Sequence, residues 1–124
     1  MDRVTVLIIR RNTDEKKVLS RVGYAKTFTQ RLRGLIGRKH LADDEGLLFE
    51  SGGSIHTIGM KISIDVIFLD KDGYILTVKD SVRPFRFCIA PKKTRYVLES
   101  SSGMAICHGV KLGQRLQWMI ESSE

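Results

Sequence analysis

The segment Ile62–Leu69 is the most apolar stretch of the chain, and a single carboxylate, Asp65, interrupts it. Its apolar residues fall at successive rather than alternate positions, so it reads as a strand filled on both faces. A carboxylate inside such a strand has to be hydrogen-bonded, paired or neutralised once it is buried. Asp70-Lys71-Asp72-Gly73 follows as a hairpin turn, and Tyr74–Val78 pairs back against the apolar strand.

Around this hairpin the chain reads as short strands and one clear helix. Arg3–Arg10 is rich in Val and Ile; with the Asn12-Thr13-Asp14 turn and Lys17–Ala25 it forms a second hairpin. Thr27 and Gln30 stand at the spacing of a capping box, in which the Thr27 hydroxyl accepts from the Gln30 N–H and the Gln30 side chain reaches back to the Thr27 N–H. Phe28, Leu32, Leu35 and Ile36 then form one apolar helical stripe, with Arg31, Arg33 and Arg38 off it and Gly37 as the stop. Gly34 sits inside this helix at about 1 kcal/mol against alanine. It marks either the close approach of another backbone or an early helix end.

Asp43-Asp44-Glu45-Gly46 is a polar turn leading to the short buried strand Leu47–Phe49, which Gly52-Gly53 breaks. Ser54–Thr57 extends again, Pro84 and Pro91 bracket an irregular basic loop, and Tyr96–Glu99 is a further strand. Ser102–His108 reads as a short helix capped by Ser101 or Ser102, and Leu116–Ile120 closes the fold. There is no repeat and no linker, so residues 1–124 form one domain. The expected fold is α+β and mostly β: a compact, barrel-like antiparallel or mixed sheet, with a helix at about 27–37 and a short one at about 102–108.

Composition narrows the function classes. With 42% apolar and 28% charged residues, the 124-residue chain is ordinary globular protein and not a disordered one. The net charge of +7 keeps an anionic partner in view. Two cysteines are too few for a disulfide framework, and Cys88 and Cys107 are expected as reduced, small buried hydrophobes. The longest early apolar run, Val4–Ile9, is flanked by charges and falls far short of the roughly 20 residues of a spanning helix, so no membrane span and a cytoplasmic location are expected.

Arg33-Gly34-Leu35-Ile36, Gly46-Leu47-Leu48-Phe49, Ile55-His56-Thr57 with Gly59-Met60, and Ile64-Asp65-Val66-Ile67-Phe68-Leu69-Asp70 occur in that order. Val97-Leu98-Glu99, Gly103, Gly109 and Gly113 continue the series. Together these motifs resemble the bacterial and archaeal family called domain of unknown function 192, from about Ala25 to Trp118. The chain departs from a Trp-Met-Lys-Asn-Thr stretch of many members, where it carries Ile58-Gly59-Met60, and from a late Gly-Asp, where it carries Gly113-Gln114. Many relatives look exported or lipid-anchored. The resemblance implies a fold and the region of a site; it implies no activity.

Asp65 and His56 carry the sharpest functional readings. As a structural group, Asp65 accepts loop N–H groups and holds the Gly59-Met60 turn. As a functional group it orients His56, and the pair serves as an acid/base or binds a polar ligand. No nucleophile motif accompanies them. His56, Met60, Met104, Cys107 and His108 lack Cys-x-x-Cys or His-x-x-x-His spacing, so neither a metal nor another cofactor is expected. The leading reading is a non-enzymatic module binding a small ligand or a protein, its pocket built by His56, Met60 and Asp65 with Arg31 and Arg33 supplying charge. One alternative is a small acid/base enzyme using His56 and Asp65. Another is a polyanion or nucleic-acid binder acting through Arg83, Arg86, Lys92, Lys93 and Arg95, with Phe85, Phe87 and Tyr96 interleaved.

Overall fold

The computed structural model describes residues 2–9 and 15–121. The Asn12-Thr13-Asp14 turn and the side chains of Phe28, Leu32 and Arg33 lie outside the described residues. In chain order the elements are β1 (Asp2–Ile9), β2 (Glu15–Ala25), α1 (Phe28–Leu35), β3 (Glu45–Glu50), β4 (Ile55–His56), β5 (Ile64–Leu69), β6 (Ile75–Val82), β7 (Phe87–Cys88), β8 (Tyr96–Ser101), α2 (Met104–His108) and β9 (Arg115–Glu121). Seven strands form one mixed sheet in the order β6-β5-β8-β3-β2-β1-β9, and β4 with β7 makes a separate two-stranded ribbon. The fold is α+β and mostly β, and among the described residues no helix is long and apolar enough to cross a membrane.

Every neighbouring pair in the main sheet is antiparallel except β2 with β3, which run parallel. A parallel pair needs a crossover, and α1 is the helix in that connection. The barrel-like mixed sheet expected from the many short strands is present, and it is not closed into a barrel. The edge strands β6 and β9 approach only at one end, where Tyr74 bridges Arg115 and the Ile75 N–H donates to the Gln114 carbonyl at 2.8 Å. The sheet is thus curled, with a core on each side of it.

Strand β5 shows why both sides are filled. All six of its residues are buried. Ile64, Val66 and Phe68 enter a cluster with Leu47, Phe49, Val97 and Leu35 of α1. Ile67 and Leu69 enter the other, with Val4, Val22, Leu98, Leu116 and Met104 of α2. By alternation Asp65 belongs to this second side, and it is completely buried.

Its carboxylate is fully engaged by backbone donors. Asp65 Oδ1 accepts the Ser81 N–H at 2.9 Å and the Gly103 N–H at 3.1 Å, and Oδ2 accepts the Ala105 N–H at 2.9 Å. Ser81 lies in a bulge of β6, where the β5 partner register jumps from Ile64–Val82 to Val66–Lys79 and Ser81 takes φ 49°. Bulges leave N–H groups without ladder partners, and Asp65 supplies one. The other two donors belong to the start of α2, whose N-cap, Gly103, has no capping side chain of its own. Asp65 therefore caps α2 from another strand, in the place where a Ser101 or Ser102 hydroxyl was expected. It does not hold the Gly59-Met60 turn.

Helix α1 follows its capping signal with two adjustments. The Thr27 hydroxyl accepts the Gln30 N–H at 3.1 Å, but Gln30 Oε1 takes the Lys26 N–H at 2.7 Å, one residue earlier than a capping box requires. The helix ends at Leu35, because Ile36 is already extended at ψ 130° and Gly37 turns at φ +80°. Leu35 is therefore buried, whereas Ile36 falls off the stripe at 40% exposure. A Cβ on Gly34 would lie 2.7 Å from Leu47 Cδ2, so this glycine admits a side chain of β3 and not a second backbone.

Asp65→Asn keeps one carbonyl oxygen where three N–H groups converge and sets an NH₂ against the rest. It should destabilise the fold by about 2–4 kcal/mol. The shift in the midpoint of chemical denaturation, at unchanged slope, measures this.

Candidate functional site

The face of α1 that meets the sheet runs through Arg31, Gly34 and Leu35, three and four residues apart. Because Gly34 lets the helix press against Leu47, Arg31 is carried one turn further along the same face, over the sheet. Its guanidinium carbon stands 4.1 Å from the Phe49 ring centroid, a cation–π stack, and its Nε is buried without a hydrogen-bond partner.

A cavity of about 290 Å³ opens here. Arg31, Phe49 and Glu99 line it on the sheet side, with Leu35 and Ile36 from the end of α1, and Ser51, Ser54, Ile55, His56 and Met60 from the following segments. Glu99 sits directly across from Leu47 of β3 and Val66 of β5. It is 9% exposed, and no hydrogen bond or paired cation compensates its burial among the described residues. Burial pushes its carboxyl up to about 7, and outweighs the opposing pull of the Arg31 charge.

The outer wall depends on Thr57, which is fully buried. Its hydroxyl donates to the Arg83 carbonyl at 2.7 Å and accepts the Arg86 N–H at 2.9 Å, while its N–H reaches the Arg86 carbonyl at 2.9 Å. These bonds fasten the loop after β6 to the segment carrying His56 and Met60. His56 Nδ1 accepts the Ile58 N–H at 3.3 Å, and the ring meets Phe87 edge-on at 6.2 Å between centroids.

Of the residues expected to bind ligand, the structure brings Arg31, His56 and Met60 together. Asp65 is elsewhere, on the opposite side of the sheet. Among the described residues its carboxylate bonds only to the three backbone N–H groups, so the His56–Asp65 acid/base pair is not formed. The physical reason is strand parity: residue 65 points away from the face shared by Ile64, Val66 and the cavity. Glu99, which does line the cavity, was readable by the argument applied to Asp65, since it too is an acid in an apolar strand.

Arg83, Arg86, Lys92 and Lys93 are exposed, Arg95 is held by Glu50, and Tyr96 packs against Trp118 in the core. On and beside α1, Lys26 pairs with Asp2 at 2.8 Å and Arg38 with Glu45 at 2.9 Å. Cys88 is buried and Cys107 exposed, and both are free thiols.

A curled mixed sheet with a crossover helix roofing a small polar-floored cavity defines the class. The DUF192 family profile, described as "Uncharacterized ACR", matches residues 8–118, and the chain belongs to that family. It is 32% identical over 111 residues to a UPF0127 protein of Pyrococcus furiosus, covering 86% of this chain and 93% of that one. With a UPF0127 protein of Thermococcus sibiricus the identity is 31% over 115 residues, covering 88% and 73%. A solved protein of Sinorhizobium meliloti, described as a candidate transcription regulator, superposes with TM-score 0.81 at 26% identity over 95% of this chain and 94% of that one. A protein of unknown function from Novosphingobium aromaticivorans has the same fold, with TM-score 0.79 at 24% identity over 92% and 84%.

The raised Glu99 carboxyl has a definite sign for stability. Between an ordinary carboxylate value and about 7 the folded state binds a proton that the unfolded state has released, so this group's contribution falls as pH rises across that window. Glu99→Gln should therefore gain on wild type by roughly 3 kcal/mol between pH 5 and pH 8. Denaturation of both proteins at the two pH values measures that difference.

Proposed function

We propose that this domain binds a small molecule in the cavity beneath α1. The observation that carries the reading is a pair of polar groups at the floor of a cavity, the buried Arg31 Nε and the buried Glu99 carboxyl, neither of which has a hydrogen-bond partner among the described residues. Buried polar groups are ordinarily satisfied within the protein, and a site that leaves two of them free is built for a ligand that completes them. Leu35, Ile55 and Met60 supply apolar wall, while Ser51, Ser54 and His56 stand at the mouth. Membership of DUF192 and the shared fold are compatible with such a module and assign it no ligand.

The test is a thermal-shift screen of small molecules on wild type and on Ser54→Trp, which fills the mouth. Ligands of the cavity should stabilise wild type by about 3 kcal/mol at a hundredfold excess over Kd and leave the filled variant unmoved. Equal shifts in both proteins would place binding elsewhere and end the reading.

A second reading rests on the segment from β6 to β8. Phe85, Phe87 and Ile89 are 67%, 73% and 80% exposed, unusual for apolar side chains, on the same segment as the exposed cations Arg83, Arg86, Lys92 and Lys93. This combination supports contact with a polyanion. Heparin or RNA affinity should then fall steeply with added salt, and reversing Lys92 and Lys93 should flatten the salt dependence by about two charges. An unchanged salt slope would dismiss the segment as a binding surface.

A further inference from the structure

We propose that the ligand class of the cavity is a small organic acid, its carboxylate seated between the Arg31 guanidinium and the Glu99 carboxyl. This rests on the cavity being a ligand site, and it adds the charge and the bonding of what enters.

The geometry supplies three constraints. The first is the orientation of Arg31. Its guanidinium is fixed by the Phe49 ring beneath it, and its Nε is buried with no acceptor, so a donor is already desolvated and aimed. An incoming carboxylate oxygen satisfies it with a charge-assisted hydrogen bond, which is stronger than a neutral one. The second is the isolation of Glu99, which is nine-tenths buried and, among the described residues, has no hydrogen-bond partner and is the only acid lining the cavity. In its neutral form it presents an O–H donor, and a carboxylate is the natural acceptor. The third is size and polarity. A volume of about 290 Å³ is roughly ten times a water's share of liquid, and Leu35, Ile55 and Met60 suit a short carbon chain or one ring.

Other charges disagree with the surroundings. A phosphate dianion would face Glu99 with a single guanidinium to offset it. An ammonium would gain from ionised Glu99 but would share the cavity with Arg31. The titratable groups that act on Glu99 are Arg31 from α1 and the Cys88 thiol from β7, His56 of β4 lines the same cavity, and β3 and β5 set Leu47 and Val66 across from it. Lys79 of β6 pairs with Val66 on the same sheet face and adds positive charge at the exposed edge. The surround of Glu99 is thus neutral or cationic, which suits an anion.

The two charge classes give opposite pH dependences. An acid that accepts a hydrogen bond from neutral Glu99 binds with proton uptake and weakens as Glu99 ionises. An amine strengthens over the same range.

The experiment uses the whole chain and four matched probes, benzoate, butyrate, benzylamine and benzamide, titrated by NMR and calorimetry at pH 6 and pH 8. The acids should perturb the Met60 methyl and bind about tenfold more weakly at pH 8 than at pH 6, given a Glu99 carboxyl near 7. Glu99→Gln should abolish that pH dependence, and Arg31→Gln should weaken benzoate at least tenfold. Tighter binding of benzylamine than of benzoate, or acid affinity that rises with pH, overturns the proposal. If benzamide binds as well as benzoate and Arg31→Gln changes neither, the cavity is a ligand site but not one for acids. If all four probes leave the cavity residues unmoved, both readings fall together.

Discussion

One carboxylate joins three parts of the structure that are far apart in sequence. Asp65 lies in the interior of β5, and its two oxygens gather N–H groups from residues 81, 103 and 105. The bulge in β6 and the start of α2 would each leave backbone donors buried without partners, and an unmade hydrogen bond in the interior costs more than a made one contributes. One ion satisfies both, and its own desolvation is offset by three charge-assisted bonds. Helix α2, only five residues long, has too few internal bonds to stand alone, so its place over the sheet depends on this contact.

The same sheet carries a second buried acid with the opposite fate. Glu99 and Asp65 lie on neighbouring strands, and their side chains leave opposite faces. On one face the backbone turns its N–H groups toward the carboxylate and the ion is settled. On the other, α1 brings an arginine near without bonding to it, and the acid remains desolvated and poised near neutrality. Interior carboxylates of this second kind are costly, and such groups cluster at functional sites. The cavity therefore follows from the crossover: a parallel β2–β3 pair demands a helix across the sheet, Gly34 lets that helix settle on Leu47, and Arg31 is carried over Phe49.

Helix α1 divides what spacing alone dictates from what the tertiary contacts add. The Thr27 cap and the buried Leu35 follow from spacing alone, since both are local. Ile36 does not follow, because the chain leaves the helix at Leu35, one residue before the stripe would have used it. By spacing, Arg31 lies off the apolar stripe. It is nonetheless drawn over the core because its flat cation stacks on an aromatic ring from another element, a contact that no helical periodicity contains. Some of the basic residues are also paired across the fold: Lys26 with Asp2 and Arg95 with Glu50, acids distant in sequence, and Arg38 with Glu45 seven residues on.

The sequence by itself determined the elements that rest on nearest neighbours and alternation. These are the apolar strand β5 with its buried acid, the hairpin that follows it, the capped helix, the mostly β class and the DUF192 resemblance. Tertiary structure alone decided the strand order, the one parallel pair, the open curl in place of a barrel, and which face each acid occupies. Parity shows that residues 64 and 65 point opposite ways, but not which side will hold a cavity. That choice depends on what packs there, and α1, α2 and the β4–β7 ribbon reach their places through contacts tens of residues apart in the chain. His56 and Asp65 look like partners when read along the sequence, and the sheet between them leaves the one exposed beside the cavity and buries the other on the opposite side.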